Sequence, residues 1–152
     1  MYEFLQETVK NNMTRKVRSV APETTVGDLY RLFAADDFEA YPVVRGDVLV
    51  GVVSKLDALK VFGLSQNHIL PRYREGMATT VDEIMTAEVI AVEAETNLQR
   101  VLELLVNHRV KSLPVVDNRR NLVGIIARED VMRAMERSAL GKYPPAVPFE
   151  QA

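Results

Sequence analysis

Apolar positions along the chain follow two rhythms, and the pair of rhythms occurs twice. The first is helical. Val26, Leu29, Tyr30 and Phe33 keep an i, i+3, i+4, i+7 spacing, as do Leu98, Val101, Leu102 and Leu105, so each set marks the buried face of an amphipathic helix. The second is extended. "YPVV" and "LVGVV" flank the turn "RGD", and "LPVV" and "LVGII" flank "DNRRN", β-branched runs whose polar interruptions predict hairpins. The short stretches "VRSV" and "VIAV" predict one more strand ahead of each helix. Thr24 and Thr96 follow these stretches as expected N-caps, with Asp28 three past Thr25 and Gln99 three past Thr96 placed for capping boxes. A second helix is expected from Ser54 through "DALKVF" and from near Ala127 through "DVMRAM".

The order β-α-β-β-α recurs because the sequence itself does. "TVKNNMT" at 8–14 returns as "TVDEIMT" at 80–86, and residues 8–44 laid on 80–116 share 12 identities in 37 positions without a gap. After one inserted turn residue, "LVGVVSKLD" (49–57) lies on "LVGIIARED" (122–130). A match of this length is a duplication, and two copies, unlike a solenoid, imply a closed pair. The expected organisation is repeat 1 at 8–62, a linker at 63–79, repeat 2 at 80–137 and an extended or disordered tail at 138–152. Repeats this short bury little core alone. The fold class predicted is therefore α+β, with the two repeats packed sheet to sheet about a pseudo-twofold. The first ten residues are expected to form a short helix beside copy two's equivalent, and the linker to be a loop with a helical turn.

Composition narrows the function. Of the 152 residues, 47% are hydrophobic and 26% charged, a balance that folds rather than stays disordered. With 19 basic and 21 acidic residues the net charge is −2, so no overall field recruits nucleic acid or an acidic membrane, and any anion site is local. The absence of cysteine excludes disulfides, zinc-thiolate and iron–sulfur sites, and a thiol nucleophile. No basic leader followed by an apolar run opens the chain, and no stretch approaches the roughly 20 apolar residues of a membrane span. A soluble, cytoplasmic protein is the expectation. His68 and His108 stand alone, without the spacing of a metal site. None of the phosphate-loop, dinucleotide or nucleophile-elbow motifs occurs, so the reading is of a protein that is not an enzyme.

Tandem β-α-β-β-α units, with "MT" before the first strand, "h-P-V-V" on the second and "G-h-h-S-x-x-D" entering the last helix, resemble the CBS domain pair, or Bateman module. The resemblance covers about residues 2–137. It implies a regulatory module, stand-alone here, that binds an adenine nucleotide (AMP, ADP or ATP) between its repeats. It further implies a homodimer formed through helices and an unidentified protein that reads the ligand-induced change.

The same resemblance nominates the site residues. Ser54 and Asp57 would hold the ribose, and a short carboxylate suits vicinal hydroxyls. Thr86, Val89, Ile90, Val110, Lys111, Ser112 and Leu113 would supply base and phosphate contacts, with Lys111 as the cation. The second cleft would use Thr14, Val17, Arg18, Glu39, Ala40, Arg128 and Asp130. It departs from the pattern twice: Ala127 replaces the hydroxyl residue, and Glu39 stands where Lys111 stands in the first. It is expected to be empty or to take a ligand without phosphate, such as adenosine or S-adenosylmethionine, with Arg128 offsetting Glu39 in part. Two plainer readings remain open. Ser54-x-x-Asp57 is also a possible capping box, and Arg15, Lys16, Arg18, Arg72 and Arg74 could contact phosphates, although surface and linker arginines are usually just exposed. The main rival function is an interaction module with vestigial clefts.

Overall fold

A computed structural model describes residues 2–63 and 73–140 of the chain. In chain order the elements are α1 (Tyr2–Gln6), a 3-10 turn (Val9–Asn11), α2 (Val26–Ala35), β1 (Ala40–Arg45), β2 (Val48–Ser54) and α3 (Lys55–Lys60). They continue with α4 (Tyr73–Ala78), α5 (Val81–Ile84), α6 (Leu98–His108), β3 (Ser112–Val116), β4 (Leu122–Ala127) and α7 (Arg128–Leu140). The fold is α+β, with two small antiparallel sheets ordered β1-β2 and β3-β4. The described residues divide into two compact units. One takes the residues up to Val17, Ile90–Asn118 and those from Val123 on; the other takes Arg18–Val89, as far as described, and Arg119–Leu122.

In the unit that holds α2, β1 and β2 pair from Ala40 opposite Ser54 to Arg45 opposite Val48, with a bulge between Val43 and Val44. Gly46 takes φ 63° in the turn between them, a left-handed conformation that glycine adopts without steric cost. The strand expected over "VRSV" is reduced to a single parallel bridge, Val20 to Val43. Val20 N donates to Pro42 O at 3.0 Å and Val44 N to Val20 O at 2.9 Å, and pairing stops there. The helix cap is also shifted by one residue. Thr25, not Thr24, caps α2, its side chain accepting from Asp28 N. Thr24 Oγ1 instead accepts from Ala21 N at 3.2 Å and closes the turn before it.

The core of this unit is built from Val20, Leu29, Tyr41, Val43, Val53, Ala58 and Val81. Val81 belongs to the second copy of the echo, so the first copy's core is completed by residues from beyond the linker. Thr80 bridges Thr25, and Thr86 bridges Val52. Val52 N donates to Thr86 O at 3.0 Å and Thr86 N to Val52 O at 2.9 Å. Inside the expected linker, α4 packs on α2 at Gly27 and on Phe62 at Gly76. A Cβ on Gly27 would lie 3.3 Å from Met77 O, and one on Gly76 would lie 2.6 Å from the Phe62 ring. Phe62 in turn meets Tyr30 edge-on at 5.9 Å and stacks on Tyr73 at 5.8 Å.

The other unit repeats the plan with the segments exchanged. Val9 is buried with Phe4, Val92, Leu98, Val101, Leu105, Leu113, Val115, Ile126, Val131 and Ala134. Thr8 bridges Asn97, and Thr14 bridges Ile125. The opening residues form the expected short helix, α1, and it packs on α6 and α7. Again the early strand is one bridge, Val92 to Val115. Asn97 rather than Thr96 caps α6, accepting from Arg100 N, because its amide oxygen reaches the N3 donor while Thr96 Oγ1 accepts from Glu93 N. The last helix runs on to Leu140, three residues into the stretch expected to be a tail. The remainder of that tail and linker residues 64–72 lie outside the described residues.

Among the described residues Tyr41 is the largest fully buried side chain, 1% exposed. Its hydroxyl lies 2.9 Å from Asp36 Oδ2 and 3.0 Å from Leu32 O. One proton serves both acceptors, and the carboxylate is the stronger. Burial first, and the Asp36 carboxylate second, push the phenol up to about 12.

Two expectations follow from this packing. A Cβ on Gly51 would sit 2.6 Å from Met85 Sδ and 3.0 Å from Thr86 O, and one on Gly124 would sit 2.8 Å from Thr14 O. Gly51→Ala and Gly124→Ala are each expected to destabilise the protein by about 1–3 kcal/mol, read from urea unfolding. For Tyr41 the sign is set by the raised phenol. Below pH about 10 both states keep the proton and the full contribution is present; from about 10 to about 12 only the unfolded chain ionises and stability is lost. Tyr41→Phe is expected to cost about 1–2 kcal/mol near neutrality, and its deficit against the wild type should shrink as pH rises through that window. A constant deficit would show that the phenol is not held up.

Candidate functional site

Ser54 ends β2 and caps α3, and the capping reading left open by the sequence is realised in full. Ser54 Oγ accepts from Asp57 N at 3.1 Å while Asp57 Oδ2 accepts from Ser54 N at 2.9 Å. Asp57 is only 9% exposed, and its other oxygen, Oδ1, lies 3.7 Å from Lys60 Nζ one turn along the helix. The carboxylate is thus fixed by a backbone donor on one side and faces a single ammonium on the other.

Beside it opens a pocket of about 350 Å³ lined by Asp57, Lys60, Val61, Glu83, Ile84 and Thr86. Thr86 comes to this place through its bridge to Val52, and the same bridge draws α5 alongside. Two of the lining residues, Asp57 and Thr86, are nominated by the sequence; Lys60, Val61, Glu83 and Ile84 are not. The signal for them was present in the echo. "DEIMT" carries an acid where its twin "KNNMT" has Asn11, a difference meaningful only once both segments are known to end beside an S-x-x-D helix start. Val89 lies in the same compact unit, half-buried, whereas Ile90, Val110, Lys111, Ser112 and Leu113 lie in the other. There Lys111 is exposed at the start of the hairpin, its carbonyl accepting from Arg128 N at 3.0 Å, and Leu113 is a core residue.

The residues nominated for the second cleft divide likewise. Thr14, Val17, Arg128 and Asp130 share one unit and Arg18, Glu39 and Ala40 the other. Asp130, 6% exposed, repeats half of the capping box: its Oδ2 accepts from Ala127 N at 2.8 Å, and Ala127 offers no hydroxyl in return. Its Oδ1 is paired with Arg133. Arg128 Nε donates to Val110 O at 2.9 Å within its own unit, and in the other unit Glu39 lies 3.6 Å from the Lys55 ammonium. Arg18 is committed to Asp36 at 2.8 Å, the carboxylate that also accepts from Tyr41. Arg15, Lys16 and Arg74 are exposed, and Arg72 and His68 lie outside the described residues.

Among the described residues no cluster of three or more histidine, cysteine, aspartate or glutamate side chains is placed to hold a metal ion, and no helix is long and apolar enough to cross a membrane. The lining offers a buried carboxylate acceptor, a second carboxylate on Glu83, a hydroxyl, one ammonium and two apolar walls. Such a set suits a diol with an apolar or aromatic group beside it.

Known proteins place this arrangement in context. The CBS domain matches the chain at residues 7–63 and 81–137. The CBS domain-containing protein YhcV of Bacillus subtilis is 32% identical over 125 residues, which cover 82% of each chain. The protein MJ1225 of Methanocaldococcus jannaschii is 30% identical over 130 residues, 84% of this chain and 46% of that one, so the chain spans about half the length of this relative. The crystal structure of MJ1225 matches with a TM-score of 0.78 at 28% identity, covering 86% of this chain and 48% of that one. CBSX2 of Arabidopsis thaliana, solved in complex with AMP, matches with a TM-score of 0.73 at 31% identity over 86% of this chain and 97% of its own. With the domain matched twice, on the two repeats that the hairpins and helices define, the chain belongs to the CBS domain family as a tandem pair.

Proposed function

We propose that this CBS pair is a regulatory module without catalytic activity that binds an adenine nucleotide, chiefly at the pocket of Asp57. The observation that carries the reading is the buried Asp57 carboxylate, held rigid by Ser54 and opening onto a pocket that Thr86 also lines. Carboxylate and hydroxyl in fixed register suit the two ribose hydroxyls, and a rigid acceptor spends little entropy on binding. The complex of CBSX2 with AMP supports the choice of ligand class. Ser54, Val89, Ile90 and the segment from Val110 to Leu113 are the further contact candidates that the family pattern nominates, with Lys111 for phosphate. The Asp130 site takes nucleotide weakly or takes a ligand without phosphate, such as adenosine or S-adenosylmethionine, since its carboxylate is already paired with Arg133 and lacks the hydroxyl partner.

Binding shifts the module between conformations by the ligand's differential affinity for them, and a partner protein in the cytoplasm reads the shift. A homodimer is part of this reading. Leu59 on α3 and Met132 on α7 occupy equivalent positions of the two repeats and are 57% and 66% exposed, apolar side chains suited to a helical interface. A second reading, an interaction module with vestigial sites, is favoured by one observation: the capping box already gives Ser54 and Asp57 a structural task.

Thermal melting with AMP, ADP, ATP, NAD and S-adenosylmethionine separates the two. An adenine nucleotide at 100 times its dissociation constant is expected to add about 2.7 kcal/mol of stability, and a flat panel favours the second reading. Calorimetry then tests the ranking. Asp57→Ala is expected to weaken nucleotide binding about tenfold or more, Asp57→Asn to do so while keeping an acceptor for the cap, and Asp130→Ala to change it little. Equal losses at the two aspartates would mean the sites are ranked wrongly.

A further inference from the structure

Two carboxylates and one ammonium line the Asp57 pocket, an unusual charge balance for a receptor of phosphorylated ligands. Lys60 lies 3.7 Å from Asp57, so among the lining groups the charge of Glu83 is left over. We propose that Glu83 is a specificity residue that limits how many phosphates the ligand carries, favouring a nucleoside monophosphate over a triphosphate. The inference rests on the nucleotide reading above.

Glu83 is exposed at the rim, yet it is not free to swing away. Its Oε2 accepts from Thr80 N at 2.9 Å, the half of a capping box that Glu83 supplies to α5, while the single Thr80 hydroxyl proton is shared between Glu83 Oε2 and Asp82 Oδ1. That short helix is tied down at both ends, by Val81 N donating to Thr24 O at 2.8 Å and by the Val52–Thr86 pair. One oxygen of the carboxylate is thus tethered to the start of α5, which keeps its negative charge beside the place where Asp57 would hold a ribose. A 5′-phosphate hangs only a few bonds from that ribose, and a monophosphate already carries about −1.5 to −2 at neutral pH. Each further phosphate adds charge within the Debye length of about 8 Å, so the repulsion grows with phosphate count and vanishes for the bare nucleoside. The duplicated copy supplies an internal comparison. The positions equivalent to Asp57, Lys60 and Glu83 are Asp130, Arg133 and Asn11, which sum to zero where the first set sums to −1.

The test is titration calorimetry of adenosine, AMP and ATP against the full chain and its Glu83→Gln and Lys60→Gln variants. Glutamine keeps a side-chain oxygen for the Thr80 amide, so the cap survives the first substitution. Glu83→Gln is expected to improve ATP relative to AMP by about fivefold, the factor for one unit-charge pair about 4 Å apart in water, and to leave adenosine unchanged. The gain should shrink as salt is raised. Lys60→Gln should move the ATP-to-AMP ratio the other way. If the wild type binds these ligands but Glu83→Gln leaves their ratio unchanged, or shifts adenosine equally, the specificity proposal is overturned and the nucleotide reading stands. If the wild type binds none of the three, both fall together.

Discussion

The surroundings of Asp57 and Asp130 depend on two reciprocal backbone pairs, Val52 with Thr86 and Thr14 with Ile125. In each, the residue after a methionine lies along the outer strand of a two-stranded hairpin and satisfies amides that would otherwise be an unpaired edge. The approach is so close that the strand carries glycine beneath it, Gly51 under Met85 and Gly124 under Met13. The constraint is geometric before it is chemical. Once Thr86 is pinned to Val52, α5 can only lie beside the start of α3, and a capping aspartate becomes the wall of a pocket.

The pairing also explains how repeats of this size find enough core. Val9 and Val81 are partners in the echo, and both are fully buried, each in the compact unit that holds the other copy's helices and hairpin. A hairpin and two helices leave a gap that one valine and a turn of helix close, and the chain closes both gaps with the same heptapeptide pattern. Duplication makes this economical in information: one local sequence solves the same packing problem twice. The exchange also means that the stretch treated as linker is structural, since α4 packs on α2 and Phe62 against Gly76.

The differences between the copies are as informative as the likeness. Both aspartates cap a helix, yet Asp57 is matched by Ser54 and faces an ammonium at 3.7 Å, while Asp130 lacks the hydroxyl and is closed by Arg133. A guanidinium offers a carboxylate several fixed donors, whereas a lysine ammonium is a single point charge. Similar helix starts therefore carry different partners. The capping role and a ligand role at Asp57 are compatible because they use different oxygens.

Read alone, the sequence determined the duplication, the hairpins, the amphipathic helices and the S-x-x-D start, because these depend on neighbours a few residues away. Thr24 and Thr96 lost the capping role by one position because each accepts from the amide three residues before it and closes the preceding turn, which leaves the N3 amide to the next side chain. The strands expected over "VRSV" and "VIAV" shrank to single bridges for a related reason: an apolar run has strand propensity, but pairing length is set by the partner. Tertiary structure alone decided the exchange of the echoed segments and the presence of Lys60, Val61, Glu83 and Ile84 around one pocket. A bridge between residues far apart in the chain leaves no periodicity to read, since it is specified by the shape of the gap it fills rather than by the residues beside it.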